Sequence, residues 1–252
     1  MDLDTLHTGV MVEFVAAVVT GAALLLISAP YGRHARSGFG PTVPARLAWI
    51  LMEVPALLCF SVPFLMEATN QPGIHWLFFG GWFFHYSYRT FVFPFKLNIA
   101  RRTTPFLIVV LAIIFNALNG SINAAWLKFY PTDLDSWETI LRVILGSVLF
   151  TSGVRINHQS DAILMALRTD TSDTSYKIPH GGMYRYISCP NYFGELLEWS
   201  GWAIATGSLA GWAFVAFTAS NLVPRALAHH RWYQEKFGDY PKDRKILLPF
   251  VW

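Results

Sequence analysis

The chain has 252 residues, of which 54% are hydrophobic and only 14% charged, and its formal net charge is +3. Soluble domains carry about 25% charged residues, so this composition excludes an ordinary soluble protein and favours a polytopic membrane protein. The length accommodates about six to eight spans of about 20 residues, which leaves no room for a separate soluble domain.

Seven apolar runs follow one another along the chain and are candidate membrane-spanning helices. The predicted spans cover 9–28, 46–66, 75–95, 105–127, 137–157, 191–206 and 208–228. The last two spans are joined only by Thr206, Gly207 and Ser208, and the combined length of the two spans favours a tight helical hairpin over one long helix. We therefore predict an all-α, polytopic membrane protein whose residues 1–252 form a single integral membrane domain.

The positive charges are distributed unevenly between the predicted loops. All but three of the 19 Lys and Arg residues lie in segments 29–45, 96–104 and 158–190, in the C-terminal tail, or at adjoining span ends. Because cytoplasmic loops are enriched in Lys and Arg, this pattern predicts an N-terminus outside and a cytosolic C-terminus. The expected surroundings are a lipid bilayer, and nucleic acid is not expected as a partner. The short loops favour a bacterial inner membrane, with an endoplasmic reticulum membrane as the alternative.

Several predicted spans contain polar side chains, which are costly in a bilayer and mark functional sites by default. The sixth span carries Asn191, Glu195 and Glu198 at spacing i, i+4, i+7, which places them on one helical face. Three other spans contribute similar groups: Arg46, Trp49 and Glu53; His85, Tyr86 and Arg89; Asn157 and Asp161. In the predicted topology all of them lie in the cytosolic half of the membrane, so we predict one polar cavity that opens to the cytosol.

Four arginines from different segments border this predicted cavity: Arg89, Arg102, Arg168 and Arg225. Arginine is the preferred bidentate partner of phosphate, so we expect a phosphorylated cofactor from the cytosol and a lipophilic substrate from the bilayer. The sequence has no G-x-G-x-x-G stretch, no H-E-x-x-H stretch and no cysteine cluster. It therefore predicts neither a Rossmann fold nor a metal site.

Simpler interpretations of single residues remain open at this point. Glu53 and Arg89 are also compatible with a structural ion pair between two spans, and Tyr86 with an ordinary core tyrosine. Arg102, next to another arginine, is equally typical of an anchor to lipid headgroups.

Several stretches together resemble the steroid 5α-reductase family. They are Val43–Pro55, His85–Val92, Ile156–Asp161, Tyr176–Gly182, Asn191–Trp199, Arg225–Tyr233 and Phe237–Lys242. The sixth-span stretch is similar to the family's N-[FY]-x-G-E-x-x-E-W, and the resemblance extends from about Tyr31 to the end of the chain. One departure stands at Met52, where the family has Gln before the glutamate.

The resemblance implies NADPH-dependent reduction of the Δ4 double bond of a 3-oxo-Δ4-steroid, with hydride delivered to C5. It makes Tyr86 and Glu53 the catalytic residues, with Tyr86 hydrogen-bonded to Glu53 and polarising the C3 ketone. Trp49 and Trp199 would join these two as substrate-binding residues. The cofactor would be lined by Arg89, Arg102, Asn157, Asp161, Arg168, Tyr176, Asn191, Glu195, Arg225, His229 and Tyr233.

Three alternatives are compatible with the sequence. The first is a membrane methyltransferase of the isoprenylcysteine type that uses S-adenosylmethionine, in which Glu53 and Tyr86 would have no evident role. The second is a seven-span receptor or transporter, which the clustering of polar residues at one leaflet disfavours. The third is a reductase of another enone, such as a polyprenal. Nothing in the sequence indicates an obligate protein partner.

Overall fold

The computed structural model describes residues 1–27, 38–99, 102–167 and 176–252, and these residues are mostly helical. The α-helices are α1 (Leu3–Leu26), α2 (Ala45–Met66), α3 (Gly73–Ser87), α4 (Phe93–Lys96), α5 (Phe106–Phe129), α6 (Trp137–Ala166), α7 (Pro190–Thr206) and α8 (Leu209–Lys236).

Local sequence determines where these helices begin and end. The Asp2 side chain accepts a hydrogen bond from the backbone N–H of Thr5 at 2.8 Å and caps α1. Ser136 and Ser208 cap α6 and α8 in the same way, at 3.1 and 2.9 Å. α7 ends at Gly207, whose φ of 63° lies in the left-handed region that glycine adopts without steric cost. The hairpin predicted for the last two spans is therefore confirmed.

Two local features differ from the prediction. The third predicted span is not one α-helix, because Tyr88–Val92 form a π-helical turn between α3 and α4. The fold is also not purely helical: strand β1 (Thr42–Pro44) pairs antiparallel with strand β2 (Thr103–Pro105). Both strands end in proline at a helix start, where an extended segment leads directly into α2 and α5. The small sheet therefore brings the starts of these two helices together.

Within the described ranges, four helices are long and apolar enough to cross a membrane: α1, α2, α5 and α6. The 15 residues of α3 and the 17 residues of α7 make shorter segments. α8 continues to Lys236, well beyond the predicted end of its apolar run at 228. The apolar helices are those of a membrane protein, whereas the number of spans and the orientation of the termini stay predictions.

Glycines set the closest helix contact, between α6 and α7. Gly146 and Gly153 on α6 face Gly201 and Gly194 on α7, and each glycine lies against the backbone of the opposite helix. The seven-residue spacing on both helices repeats the contact two turns further along. This contact positions the polar residues that both helices carry at their neighbouring ends.

Glu13 of α1 is a buried acid without a function in the sequence interpretation. It is fully buried, and neither carboxyl oxygen has a hydrogen-bond partner in the described structure. A buried carboxyl without partners costs free energy, so we expect Glu13→Leu to stabilise the protein by about 1–2 kcal/mol. The change is measured as a higher midpoint of thermal unfolding in detergent.

Glu13→Gln is the matched variant, because it removes the acid but keeps a buried polar group in the same place. We expect a smaller rise in the thermal midpoint than for Glu13→Leu. A lower midpoint for Glu13→Leu would contradict this account and would indicate that the carboxyl makes a stabilising interaction.

Candidate active site

Most of the predicted site residues that the structure describes lie near the starts of α2 and α7 and near the ends of α3, α6 and α8. Arg89 is their electrostatic centre. Its guanidinium is within range of carboxyl groups from three helices: Glu53 on α2, Asp161 on α6, and Glu195 and Glu198 on α7. The fold therefore brings predicted site residues from α2, α6 and α7 together around Arg89 in one polar cluster.

Glu53 and Arg89 form an ion pair. Their Oε1 and Nη2 atoms are 3.4 Å apart, and both side chains are about 15% exposed (14% and 15%). The guanidinium also lies over the rings of Trp49 and Phe93, at 4.6 and 4.7 Å from their centroids. Arg89 lies in the π-helical turn, and the aromatic faces stabilise the positive charge of its guanidinium. The Nε1 donor of Trp49 is buried and has no partner in the described structure.

Tyr86 is 3% exposed and lies between the rings of Trp82 and Trp199, at centroid distances of 4.9 and 5.8 Å. Its hydroxyl oxygen accepts a hydrogen bond from Nδ2 of Asn119 at 3.5 Å. The expected hydrogen bond from Tyr86 to Glu53 is absent from the described contacts, in which Oε1 of Glu53 pairs with Arg89. That part of the prediction is wrong, and the hydroxyl proton of Tyr86 has no acceptor within the described structure.

His85 and Glu198 form a second buried pair that the sequence interpretation missed. The Nδ1 of His85 lies 2.6 Å from Oε1 of Glu198, and the side chains are 7% and 1% exposed. Glu198 therefore does not line the cavity in the way its helical face suggests. The pair ties α3 to α7 directly beside Tyr86 and holds Trp199 against the imidazole at 4.6 Å.

Glu198→Gln is expected to lower the free energy of unfolding by about 2 kcal/mol, because a buried hydrogen bond loses its charge assistance. Glu67→Gln is the matched control: Glu67 pairs with Lys128 at 2.5 Å, but the side chains are 36% and 47% exposed. We expect a loss of about 0.5 kcal/mol or less there. Equal shifts of the two thermal midpoints would contradict the assigned role of the buried pair.

Three predicted cofactor-lining residues are joined by hydrogen bonds between α6 and α7. Nδ2 of Asn157 donates to the backbone oxygen of Asn191 at 3.0 Å. Nδ2 of Asn191 donates in turn to Oδ1 of Asp161 at 3.1 Å. The amide and carboxyl groups are thus fixed side by side at the start of α7.

A second group of predicted cofactor-lining residues lies on the final turns of α8. The guanidinium of Arg225 lies 5.3 Å from the centroid of Tyr192, whose hydroxyl is 3.2 Å from Nε2 of His229. Further along, Tyr233 is 4% exposed and stacks on Tyr240 at 5.3 Å. Tyr176 contacts the ring of Trp232 at 4.9 Å.

The three remaining predicted cofactor-lining residues have fewer described contacts with the site, or none. Glu195 lies on α7 within electrostatic range of Arg89. Arg102 precedes β2, where its backbone oxygen accepts a hydrogen bond from the N–H of Ala45 at 2.9 Å. The described contacts do not join its side chain to the other site residues. Arg168 lies outside the described residues.

A buried polar cluster connects the C-terminal tail to α8. Oγ of Ser188 lies 2.6 Å from Nδ1 of His230 and 2.7 Å from the hydroxyl of Tyr240. Burial lowers the pKa of His230 and raises the pKa of Tyr240, so both groups favour their neutral forms. The hydrogen bonds of Ser188 therefore join neutral groups. They fix the tail next to the end of α8 that carries predicted cofactor-lining residues.

A polar ladder on α5 was also missed. Asn116, Asn119 and Asn123 follow the spacing i, i+3, i+7 inside an apolar run, which places them on one face. Asn116 donates to the backbone oxygen of Met52 at 2.6 Å, and Asn119 reaches Tyr86. The same test that identified the sixth span, a polar stripe inside a membrane helix, would have found them.

Comparisons with known proteins identify the family of this chain. The profile of the 3-oxo-5-alpha-steroid 4-dehydrogenase family matches residues 102–252. A steroid 5-alpha-reductase of Gossypium hirsutum is 40% identical, covering 100% of this chain and 99% of the relative. A 3-oxo-5-alpha-steroid 4-dehydrogenase 1 of Bos taurus is 41% identical over 95% of this chain and 94% of its own length. The Homo sapiens protein of that name is 39% identical, over 88% of this chain and 85% of the relative.

Proposed function

The chain belongs to the 3-oxo-5-alpha-steroid 4-dehydrogenase family, and on this basis we propose that it reduces the Δ4 double bond of 3-oxo-Δ4-steroids with NADPH. It is an oxidoreductase, as its relatives are. The observation that carries the finer proposal is the buried hydroxyl of Tyr86. Its oxygen accepts a hydrogen bond from Asn119, and its proton has no acceptor among the described residues.

Tyr86 is the proposed hydrogen-bond donor to the C3 ketone. Hydride addition at C5 moves the double-bond electrons toward C4 and the ketone, so negative charge develops on O3. A preorganised donor in a site without bulk water stabilises that charge strongly. Because its ring is enclosed by Trp82 and Trp199, the hydroxyl of Tyr86 is held in one position before the substrate binds. A proton then adds to C4 and restores the ketone.

Glu53 is proposed to act on the same ketone from α2. Its carboxyl is held by Arg89, and Arg89 is held in turn by the faces of Trp49 and Phe93. The unpartnered Nε1 of Trp49 is a further donor at this point, available to substrate or cofactor. Trp199 contributes to the substrate site indirectly, because it is 1% exposed and contacts Tyr86 from the core.

The residues at the C-terminal ends of α6 and α8 and at the start of α7 fit a nicotinamide cofactor. Asn157, Asn191 and Asp161 supply adjacent amide and carboxyl groups, which suit the hydroxyl and amide groups of such a molecule. Arg225 and Arg89 supply guanidinium groups for its phosphates. When bound, NADPH supplies the hydride. Glu195, His229, Tyr233, Tyr176, Arg102 and Arg168 complete the proposed cofactor-lining set.

We also propose that residues 1–252 form one seven-span domain with its N-terminus outside and its C-terminus in the cytosol. In that orientation the polar cluster opens to the cytosol, where NADPH is found. Labelling of single cysteines introduced at Asp4 and Asp239 with an impermeant maleimide tests the orientation. We expect labelling from outside only at the first position. A bacterial inner membrane and an endoplasmic reticulum membrane are both compatible with this orientation.

Purified protein in detergent, incubated with NADPH and testosterone or progesterone, tests the proposed activity. We expect the 5α-dihydro product by mass spectrometry. Reduction of a polyprenal but not of either steroid would assign a different enone substrate. Absence of NADPH binding would contradict the proposal and would make S-adenosylmethionine the next ligand to test.

A further inference from the structure

A chain of hydrogen bonds runs through the bundle core from Trp202 on α7 to Tyr86 on α3. Nε1 of Trp202 donates to Oδ1 of Asn123 at 3.0 Å. Nδ2 of Asn123 donates to Oδ1 of Asn119 at 2.8 Å. Nδ2 of Asn119 donates to the hydroxyl oxygen of Tyr86 at 3.5 Å, the longest of the three contacts.

The direction of these hydrogen bonds is set by the indole of Trp202 and by the backbone oxygen of Asn119. An indole N–H only donates, so Asn123 must turn its Oδ1 toward Trp202 and its Nδ2 away. Nδ2 of Asn123 also donates to the backbone oxygen of Asn119 at 3.0 Å, and a backbone oxygen only accepts. Two independent contacts therefore fix the amide of Asn123. The Oδ1 of Asn119 is then occupied, and its Nδ2 faces Tyr86.

Burial prevents water from changing this direction. Asn119 is fully buried, Asn123 is 1% exposed and Trp202 is 3% exposed. A flipped amide at either position would place donor against donor or acceptor against acceptor, with no solvent to compensate. The network is therefore locked in one orientation.

We infer that Trp202, Asn123 and Asn119 are positioning residues that make Tyr86 a hydrogen-bond donor. Since the Tyr86 oxygen already accepts from Asn119, its O–H is left to point at another acceptor. Under the proposed function, on which this inference rests, that acceptor is O3 of the steroid. The Asn119 contact also stabilises negative charge on the phenol oxygen as Tyr86 shares its proton.

Asn119→Asp reverses the direction of the last contact with little change in volume. An ionised carboxylate only accepts, so it would accept a hydrogen bond from the Tyr86 hydroxyl and turn the O–H away from the substrate. We expect kcat for steroid reduction to fall about tenfold to a hundredfold. The KM for steroid and the Kd for NADPH should stay within about twofold, because neither ligand contacts Asn119 in the proposed site.

Trp202→Phe is the second variant, because it removes one of the two contacts that fix the amide of Asn123 and leaves its Oδ1 without a donor. Trp126→Phe is its matched control. Trp126 is another buried tryptophan, 7% exposed, and it stacks on Tyr130 at 4.4 Å, outside this network. We expect kcat to fall in Trp202→Phe, by less than in Asn119→Asp because the backbone contact of Asn123 remains, and to stay unchanged in Trp126→Phe.

The decisive readout is the same pair of changes made in a Tyr86→Phe background. If Asn119 and Trp202 act through the Tyr86 hydroxyl, neither change lowers the residual rate further. A further loss in that background, or wild-type kcat in Asn119→Asp, would overturn this inference alone. A wild-type protein that reduces no 3-oxo-Δ4-steroid would instead overturn the proposed function.

Discussion

Replacing Tyr86 with Phe is expected to lower kcat for steroid reduction by about 10²–10³-fold, because it removes the donor that stabilises charge on O3. The ring stays in place, since Trp82 and Trp199 enclose it and the change deletes one oxygen. NADPH binding, measured by fluorescence titration, should therefore be retained. The variant separates loss of chemistry from loss of fold.

Tyr130→Phe is the control for this change. It also deletes a tyrosine hydroxyl with a hydrogen bond, to Nε2 of His7 at 2.8 Å, but at the opposite end of the bundle. We expect its kcat to equal that of the wild type. Turnover at the wild-type rate in Tyr86→Phe would show that another group polarises the ketone.

Gly153→Ala is expected to have the largest effect on stability. A Cβ at this position would lie 2.5 Å from the backbone oxygen of Gly194 and 2.7 Å from Cα of Glu198. Helix backbones cannot yield as flexible side chains do, so α6 and α7 must separate, at a cost of about 3 kcal/mol. The same separation would pull Asn157 from Asn191, so NADPH affinity should fall together with the thermal midpoint.

Gly80→Ala makes the same substitution on α3, where a Cβ would meet nothing within 4 Å. Because alanine favours a helix over glycine by about 1 kcal/mol, we expect an unchanged or slightly higher thermal midpoint. A Gly153→Ala protein as stable as Gly80→Ala would contradict the close α6–α7 contact.

The helices were predictable because their signal is local. Apolar runs, a Gly207 stop and serine caps are all visible in the sequence, and α2, α5 and the α7–α8 hairpin begin or end within a few residues of the prediction. The small sheet was not predictable, because three-residue strands beside proline have no periodic pattern. The π-helical turn at Tyr88–Val92 was not predicted either, because nothing in the local sequence distinguishes it from a continuing α-helix.

Spacing and the family resemblance singled out Glu53, Tyr86 and Arg89, but they left the partners of these residues open. The Glu53–Arg89 ion pair was one of the open interpretations, whereas the contact of Tyr86 with Asn119 was not predicted. Partner choice depends on how four helices cross, and helical spacing constrains only residues of one helix. The same reason explains why Glu198 was assigned to the cavity, although it pairs with His85 in the core.

The most direct test of the proposed activity follows the hydride. Purified protein is incubated with testosterone and NADPH that carries deuterium at the transferred position of the nicotinamide. We predict a 5α-dihydro product with one deuterium, located at C5, and no deuterium in the product when the cofactor is unlabelled and the solvent is ordinary water. Bound NADPH and bound steroid without transfer of deuterium to C5 would contradict the account.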